Sequence, residues 1–266
     1  MNNKILIYVD NLDYVSEYRK AGVSAFLFAL KDYCVGYEKT YTLEEIIKVD
    51  VSNKYILINR LLDCNDVDKL KVLLKDIKTI KGIVYEDISV YRIVKELGLD
   101  VELIFFQNHF ATNTYSVNFW LDRVDSLLLS NEITKNEIKY ILDNAKRELC
   151  VHVFGYNQVM YSRRLLLSNW SEEFNIPFKD KNVLEEVVTK IKFRAIENEY
   201  GTVMYSENIF NGLELLNLNN LKYGYINTTF LDHDTVMKVL ETGKFDGGDD
   251  GFLNKETIYK LKEVKK

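Results

Sequence analysis

Proline is almost absent: Pro177 is the single one in 266 residues, beside 12 glycines and three cysteines. This scarcity of proline and glycine leaves no flexible linker and no low-complexity segment. Cys34, Cys64 and Cys150 are odd in number and far apart, with no CxxC pair. Neither a disulfide framework nor a zinc ribbon is encoded, and each cysteine reads as a small buried hydrophobe. No apolar run approaches the ~20 residues of a membrane helix. The start, MNNKILIYVD, lacks the basic and apolar regions of a signal peptide and reads as a first strand. A cytoplasmic protein with no membrane partner is expected. Positive charge is not in excess either: 35 Lys and Arg face 40 Asp and Glu, a net charge of -5. That argues against a free-standing nucleic-acid binder, while leaving room for a local basic patch. His109, His152 and His233 share no metal-ligand spacing, and no metal is expected. His152 lies in an apolar strand and reads as a core histidine. The segment from Asp246 has the look of a calcium loop, but its twelfth position is Thr257 where an EF-hand needs Glu. It reads as an acidic turn capping a final helix.

What is present is a repeated alternation. Short apolar runs at Ile5–Val9, Ala25–Leu30, Tyr55–Ile58, Gly82–Tyr85, Val101–Phe106, Ser126–Leu129 and Leu149–Phe154 are each followed by a helical pattern. Thr42 and Glu45 have capping-box spacing, Asn65 is placed to cap a helix running through Ile80, and Thr134 to cap Lys135–Lys146. Later, the pattern predicts a long helix over Val183–Ala195, a hairpin-like segment at Thr202–Ser206, an eighth strand within Leu221–Thr228 and a last helix over Leu231–Glu241. Near-continuous apolar strands alternating with helices mean a parallel sheet covered on both faces. About eight such units favour an α/β fold of the (β/α)8 TIM-like barrel type, irregular after the seventh strand, as a single domain over residues 1–266. The alternative, an open doubly wound sheet, would carry a glycine-rich phosphate loop, and neither GxGxxG nor GxxxxGK(S/T) occurs.

In a barrel, residues just after the strands gather around one mouth. That places Asp10, Asn11, Asn59, Arg60, Glu86, Asp87, Asn108, Asn113, Glu132 and the run Gln158–Arg164 around one opening. Arg163 and Arg164 can grip a phosphate or a carboxylate, or form an ordinary solvated pair. Glu132 and Asp87 are candidates for acid–base work, or structural acceptors that orient Arg123 or Arg164. Asn59 and Asn113 either orient a ligand or satisfy loop backbone. Gln158 is a further candidate for substrate contact. Ser162 is a candidate nucleophile with no base partner visible in sequence, and HExxH and GxSxG are absent.

Several segments resemble the collagenase-like peptidase family U-32. Ala21-Gly22-Val23-Ser24-Ala25-Phe26 is similar to its "aGad-a" motif. Phe119-Trp120-Leu121-Asp122-Arg123-Val124 and Leu129-Ser130-Asn131-Glu132-Ile133 are similar to its "fW…Rv…l.rEls" segment, and Ala111-Thr112-Asn113 to its "TN". The stretch VHVFGYNQVMYSRRLLLSNW aligns with the "HGa.C.aySGrC.lS" signature through Gly155, Tyr161, Ser162, Arg164, Leu167 and Ser168. The two signature cysteines fall on Gln158 and Leu165, and no cysteine follows Cys150. Full-length members that act as hydroxylation proteins hold an iron–sulfur cluster with such cysteines, so no cluster is expected here. The late "KIEGR" segment is eroded to Tyr225-Ile226-Asn227-Thr228-Thr229. Tyr200-Gly201-Thr202, Ser162-Arg163-Arg164 and the stretch from Asp250 to Lys262 are similar to the family's short, cysteine-poor branch. That resemblance implies an accessory subunit in prephenate-dependent hydroxylation of the tRNA wobble uridine. It implies a full-length, cysteine-bearing paralogue as partner, with tRNA reached through it. The alternatives are a peptidase, a hydroxylase binding a small organic acid through Arg164, and a non-catalytic scaffold.

Overall fold

The computed structural model describes residues 4–107 and 109–255. Within the expected run of strands lie β1 (Ile5–Tyr8), β2 (Ala25–Ala29), β3 (Lys54–Ile58), β4 (Gly82–Tyr85), β5 (Glu102–Phe106), β6 (Ser126–Leu128) and β7 (Leu149–Ser162). Each pairs in parallel with the next, and β11 (Leu221–Ile226) lies between β7 and β1, again in parallel. The eight strands therefore close into the expected barrel. Helices α1 (Val15–Lys20), α2 (Leu43–Lys48), α3 (Cys64–Leu73), α4 (Ile88–Leu97), α5 (Thr114–Leu121) and α6 (Lys135–Asn144) fall between them, and α8 (His233–Thr242) follows β11.

Strand alternation sorts the core into two layers. Leu6, Tyr8, Leu27, Leu57, Val84 and Ile104 fill the barrel interior, while Ile5, Ile7, Phe28, Ile56 and Ile83 pack outward beneath the helices. Capping boxes at Thr42 with Glu45 and at Thr134 with Glu137 start α2 and α6. The start of α3 differs from expectation. Asp63, not Asn65, accepts from the Asp66 amide and caps it, and the helix gives way to a 3-10 turn at Leu74–Asp76, short of Ile80.

The larger departure is beyond the barrel. β7 does not end at Gly155. Gly155 sits at φ 117, where a Cβ would lie 2.1 Å from the Asn227 carbonyl oxygen, so only glycine lets the strand bend past β11. β7 then continues to Ser162 and pairs antiparallel with β10 (Gly201–Asn211), which contains the Thr202–Ser206 segment. The helix expected over Val183–Ala195 is instead a hairpin of β8 (Lys181–Glu185) and β9 (Lys192–Asn198), added to the β10 edge. Val183, Val187 and Ile191 have helical spacing, but this β-branched run is poor helix material, and β10 offers it an open ladder. Helix α7 (Leu166–Glu173) links β7 to this extension.

The opposite end of the barrel is closed by charge. Glu102 accepts from Tyr55 Oη at 2.7 Å and from Lys222 Nζ at 2.8 Å, and Lys81 Nζ lies 2.8 Å from its other oxygen. Burial alone would raise this carboxyl, but its lysine and tyrosine partners outweigh burial and hold it at about 2. A depressed carboxyl stabilises the fold above its unfolded value of 4.5, and that stabilisation is lost as pH falls from there through about 2. Glu102→Gln is expected to cost about 2 kcal/mol at neutral pH. The deficit should shrink as urea unfolding is repeated toward pH 2; a deficit independent of pH would contradict the assignment.

Candidate functional site

The strand alternation that builds the interior also decides what faces the mouth. Asn59, Glu86, His152 and Asn227 each stand two residues beyond an inward core position, at Leu57, Val84, Cys150 and Tyr225. Glu86 is the most unusual of them. Its Oε1 is shut off from solvent and has no hydrogen-bond partner among the described residues. Burial pushes its carboxyl up to about 8, with the Asn59 side chain opposing only in part. Glu86 is therefore a neutral acid at neutral pH. Phenols surround it. Tyr37 Oη and Tyr225 Oη are 3.2 Å apart, and Tyr205 Oη donates to the Gly36 carbonyl at 2.6 Å. Burial raises Tyr37, Tyr161, Tyr205 and Tyr225, and the nearby Glu86 adds to the effect. His152 is neutral too, since burial lowers it to about 4. Nε2 lies 2.9 Å from the Phe154 carbonyl, to which it donates, and Nδ1 lies 2.8 Å from the Asn157 side-chain amide, whose N–H it accepts once the amide is turned over.

The mouth holds a void of about 10 Å³ between Tyr37, His152, Tyr156, Tyr225 and Asn227, room for about one water. Beside it opens a cleft of about 460 Å³, the size of a small-ligand site. Asn131 and Gln158 line both spaces. The cleft adds Glu132, Ser206 and Glu207, with Phe193 of the hairpin and Phe252 as apolar walls.

The expected site residues divide among several places. Gln158 and Glu132 reach the cleft, where Glu132 Oε1 lies 3.3 Å from His109 Nδ1. Asn59 is wholly buried beside Glu86, its amide bonded both ways to the Val35 backbone at 3.0 Å. Asp87 and Asn113 are the caps of α4 and α5, accepting from Ser89 N and Ser116 N; Asp87 also accepts from Leu62 N. Neither Glu132 nor Asp87 orients Arg123, which lies over the Phe119 ring at 4.0 Å and donates to the Phe119 carbonyl. Arg60 is occupied by Asp66, the Asp32 carbonyl and the Tyr200 ring. Asp10 accepts from Tyr18 Oη, and Asn11 from the Asp13 amide. Asn108 lies outside the described residues, as does the segment after Lys255. Arg163, Arg164 and Leu165 are exposed on the turn from the β7 extension into α7. Ser162 Oγ accepts from the Arg164 amide at 3.1 Å.

The cysteines do not form a cluster-binding set. Cys34 and Cys150 are buried inside the barrel and Cys64 is exposed at the start of α3. Cys34 Sγ donates to the Leu57 carbonyl at 2.8 Å, and burial raises both interior thiols, Cys150 to about 11. An iron–sulfur cluster needs thiolates converging on one point. Among the described residues no three His, Cys, Asp or Glu side chains do so. Nor is any described helix long and apolar enough to cross a membrane.

Comparison with known proteins agrees with the sequence resemblance. The chain is 25% identical over 205 residues to tRNA hydroxylation protein P2 of Bacillus subtilis, covering 71% of this chain and 66% of that protein. It is 29% identical over 145 residues to an uncharacterized protease of Methanocaldococcus jannaschii, covering 50% of this chain and 35% of that one. The match thus spans just under two thirds of the first relative's length and about a third of the second's. Among solved structures, a U32 peptidase superposes with a TM-score of 0.43 at 16% identity, over 57% of this chain and 69% of that one. A chitinase from Chromobacterium violaceum superposes with a TM-score of 0.44 at 9% identity, over 90% and 98%. The defining sequence pattern of Peptidase family U32 matches residues 15–176, more than half of the chain. The chain belongs to Peptidase family U32.

Proposed function

We propose that this protein is an accessory subunit in hydroxylation of the tRNA wobble uridine, working beside a longer, cysteine-bearing member of its family. The observation that carries this reading is the match to tRNA hydroxylation protein P2 over 71% of the chain. The dispersed cysteines support the accessory role, because redox chemistry through a thiolate-held cluster would fall to the partner. The net charge of -5 supports it as well, since RNA contact is then shared with that partner. In this reading Arg163 and Arg164 offer phosphate or carboxylate contacts on the β7 extension, including to a small organic acid such as prephenate. The mouth and cleft, with Glu86, Asn59, Gln158 and Glu132, form the inner site.

A peptidase reading has less to stand on. Ser162 Oγ is held by a backbone amide on the extension, and both His152 nitrogens are engaged elsewhere. Ser162 is thereby not paired with His152 as nucleophile and base.

Nucleoside mass spectrometry of total tRNA tests the proposal. A strain lacking this chain is expected to lose hydroxylated wobble uridine, and its parent to keep it. An unchanged tRNA profile in the deletion strain would contradict the assignment.

A further inference from the structure

β8 forms the outer edge of the eleven-stranded sheet, and among the described residues no strand pairs with its far side. Hydrogen-bond parity fixes what that edge offers. Glu197 N donates to the Asp180 carbonyl at 2.8 Å, and Glu186 N donates to the Ile191 carbonyl at 2.9 Å. In an antiparallel pair such bonds recur at every second residue, so the even-numbered residues of β8 bond to β9. The N–H and C=O groups of Lys181, Val183 and Glu185 therefore point outward. The side chains of these three share one exposed face, and Val183 is 58% exposed at its centre.

We propose that this edge pairs with the β8 edge of a second copy of the chain, antiparallel about a two-fold axis at Val183. In that register Lys181 of each copy stands opposite Glu185 of the other, and Val183 meets Val183. The outward groups of both copies supply about six N–H···O bonds. Opposite charges face each other at both ends, with an apolar pair at the centre. Shifting the register by two residues sets Val183 against a charge, so the pattern selects one alignment. Edge strands that avoid self-pairing carry charge that repels a second edge; this one carries opposite charges placed symmetrically about a valine. Within the chain, Lys181 also meets Glu38 at 2.5 Å and Glu185 meets Lys190 at 3.4 Å. Both lysine side chains are well exposed there, and such contacts are weak competitors.

Sedimentation equilibrium of the full chain over a concentration series tests the pairing. The unmodified protein is expected to pass from monomer to dimer as concentration rises. Val183→Pro removes an outward N–H and no β8–β9 bond, so it should stay monomeric with an unchanged far-ultraviolet circular dichroism spectrum. Glu185→Lys should weaken the dimer about tenfold by facing like charges, and adding Lys181→Glu should restore it. Hydrogen exchange gives an independent reading, since the amides of Lys181, Val183 and Glu185 should slow as the unmodified protein is concentrated. A monomer at every concentration, a dimer undisturbed by Val183→Pro, or outward amides that never slow would overturn the proposal.

Discussion

Glu86→Gln is expected to stabilise the protein by about 4 kcal/mol at pH 8 and by less than about 1 kcal/mol at pH 5. The difference comes from one proton. Burial pushes the folded carboxyl up to about 8, against an unfolded value of 4.5. Folding keeps that proton bound. The group's contribution is fully present below pH 4.5 and is lost as pH rises through about 8. Glutamine has nearly the same shape and no charge to lose, so it removes this dependence. Urea unfolding of both proteins at the two pH values checks the result. Parallel pH profiles would show that Glu86 is not held as a neutral acid. A carboxyl kept where an amide would be more stable fits a working position, because stability is commonly given up where a site needs a particular group.

Glu197→Ala is expected to cost about 3 kcal/mol. Glu197 is nearly buried and receives the amides of Leu167 at 2.7 Å and Ser168 at 3.0 Å, with the hydroxyls of Ser168 and Thr202. Leu165, at the start of α7, makes no side-chain cap bond. A carboxylate from β9 thus does from a distance what a local Asp, Asn or Thr does in α3 to α6. Removing it strands two backbone donors and detaches α7 from the β9–β10 hairpin. The loss should appear in urea unfolding, with faster hydrogen exchange at Leu167 and Ser168. A change under about 0.5 kcal/mol, the scale of a surface substitution, would mean that solvent caps α7 equally well.

Both residues show what a sequence reveals and what it hides. The barrel was legible because a parallel strand buried on both faces is apolar at every position, as in Ala25–Ala29 and Tyr55–Ile58. The strand-end polar residues were legible as a group, but their division was not. Asp87 and Asn113 can cap a helix or meet a ligand with the same atoms, and only the fold shows them capping. The signal that separates Glu86 from Asp87 was present all the same. Glu86 stands two residues after inward Val84, while Asp87 follows outward Tyr85 and turns toward its helix. The hairpin was hidden for another reason. Val183, Val187 and Ile191 repeat at helical spacing, and the β10 edge that claims them lies across a turn in sequence. With that segment read as a helix, the capping role of Glu197 could not be seen. β7 was hidden in part as well: it runs past Gly155 to Ser162, so Arg163 and Arg164 follow a longer strand than the apolar run Leu149–Phe154 shows.

We propose that this barrel mouth serves tRNA hydroxylation. Its most direct test is nucleoside mass spectrometry of tRNA from the deletion strain complemented with the unmodified chain, with Glu86→Gln or with Arg164→Ala, each at matched protein level. The unmodified chain should restore hydroxylated wobble uridine. Glu86→Gln, although more stable, should fail to restore it fully, and Arg164→Ala should lower it if the β7 extension carries anionic contacts. Full restoration by Glu86→Gln would contradict the claim and reduce the mouth to packing.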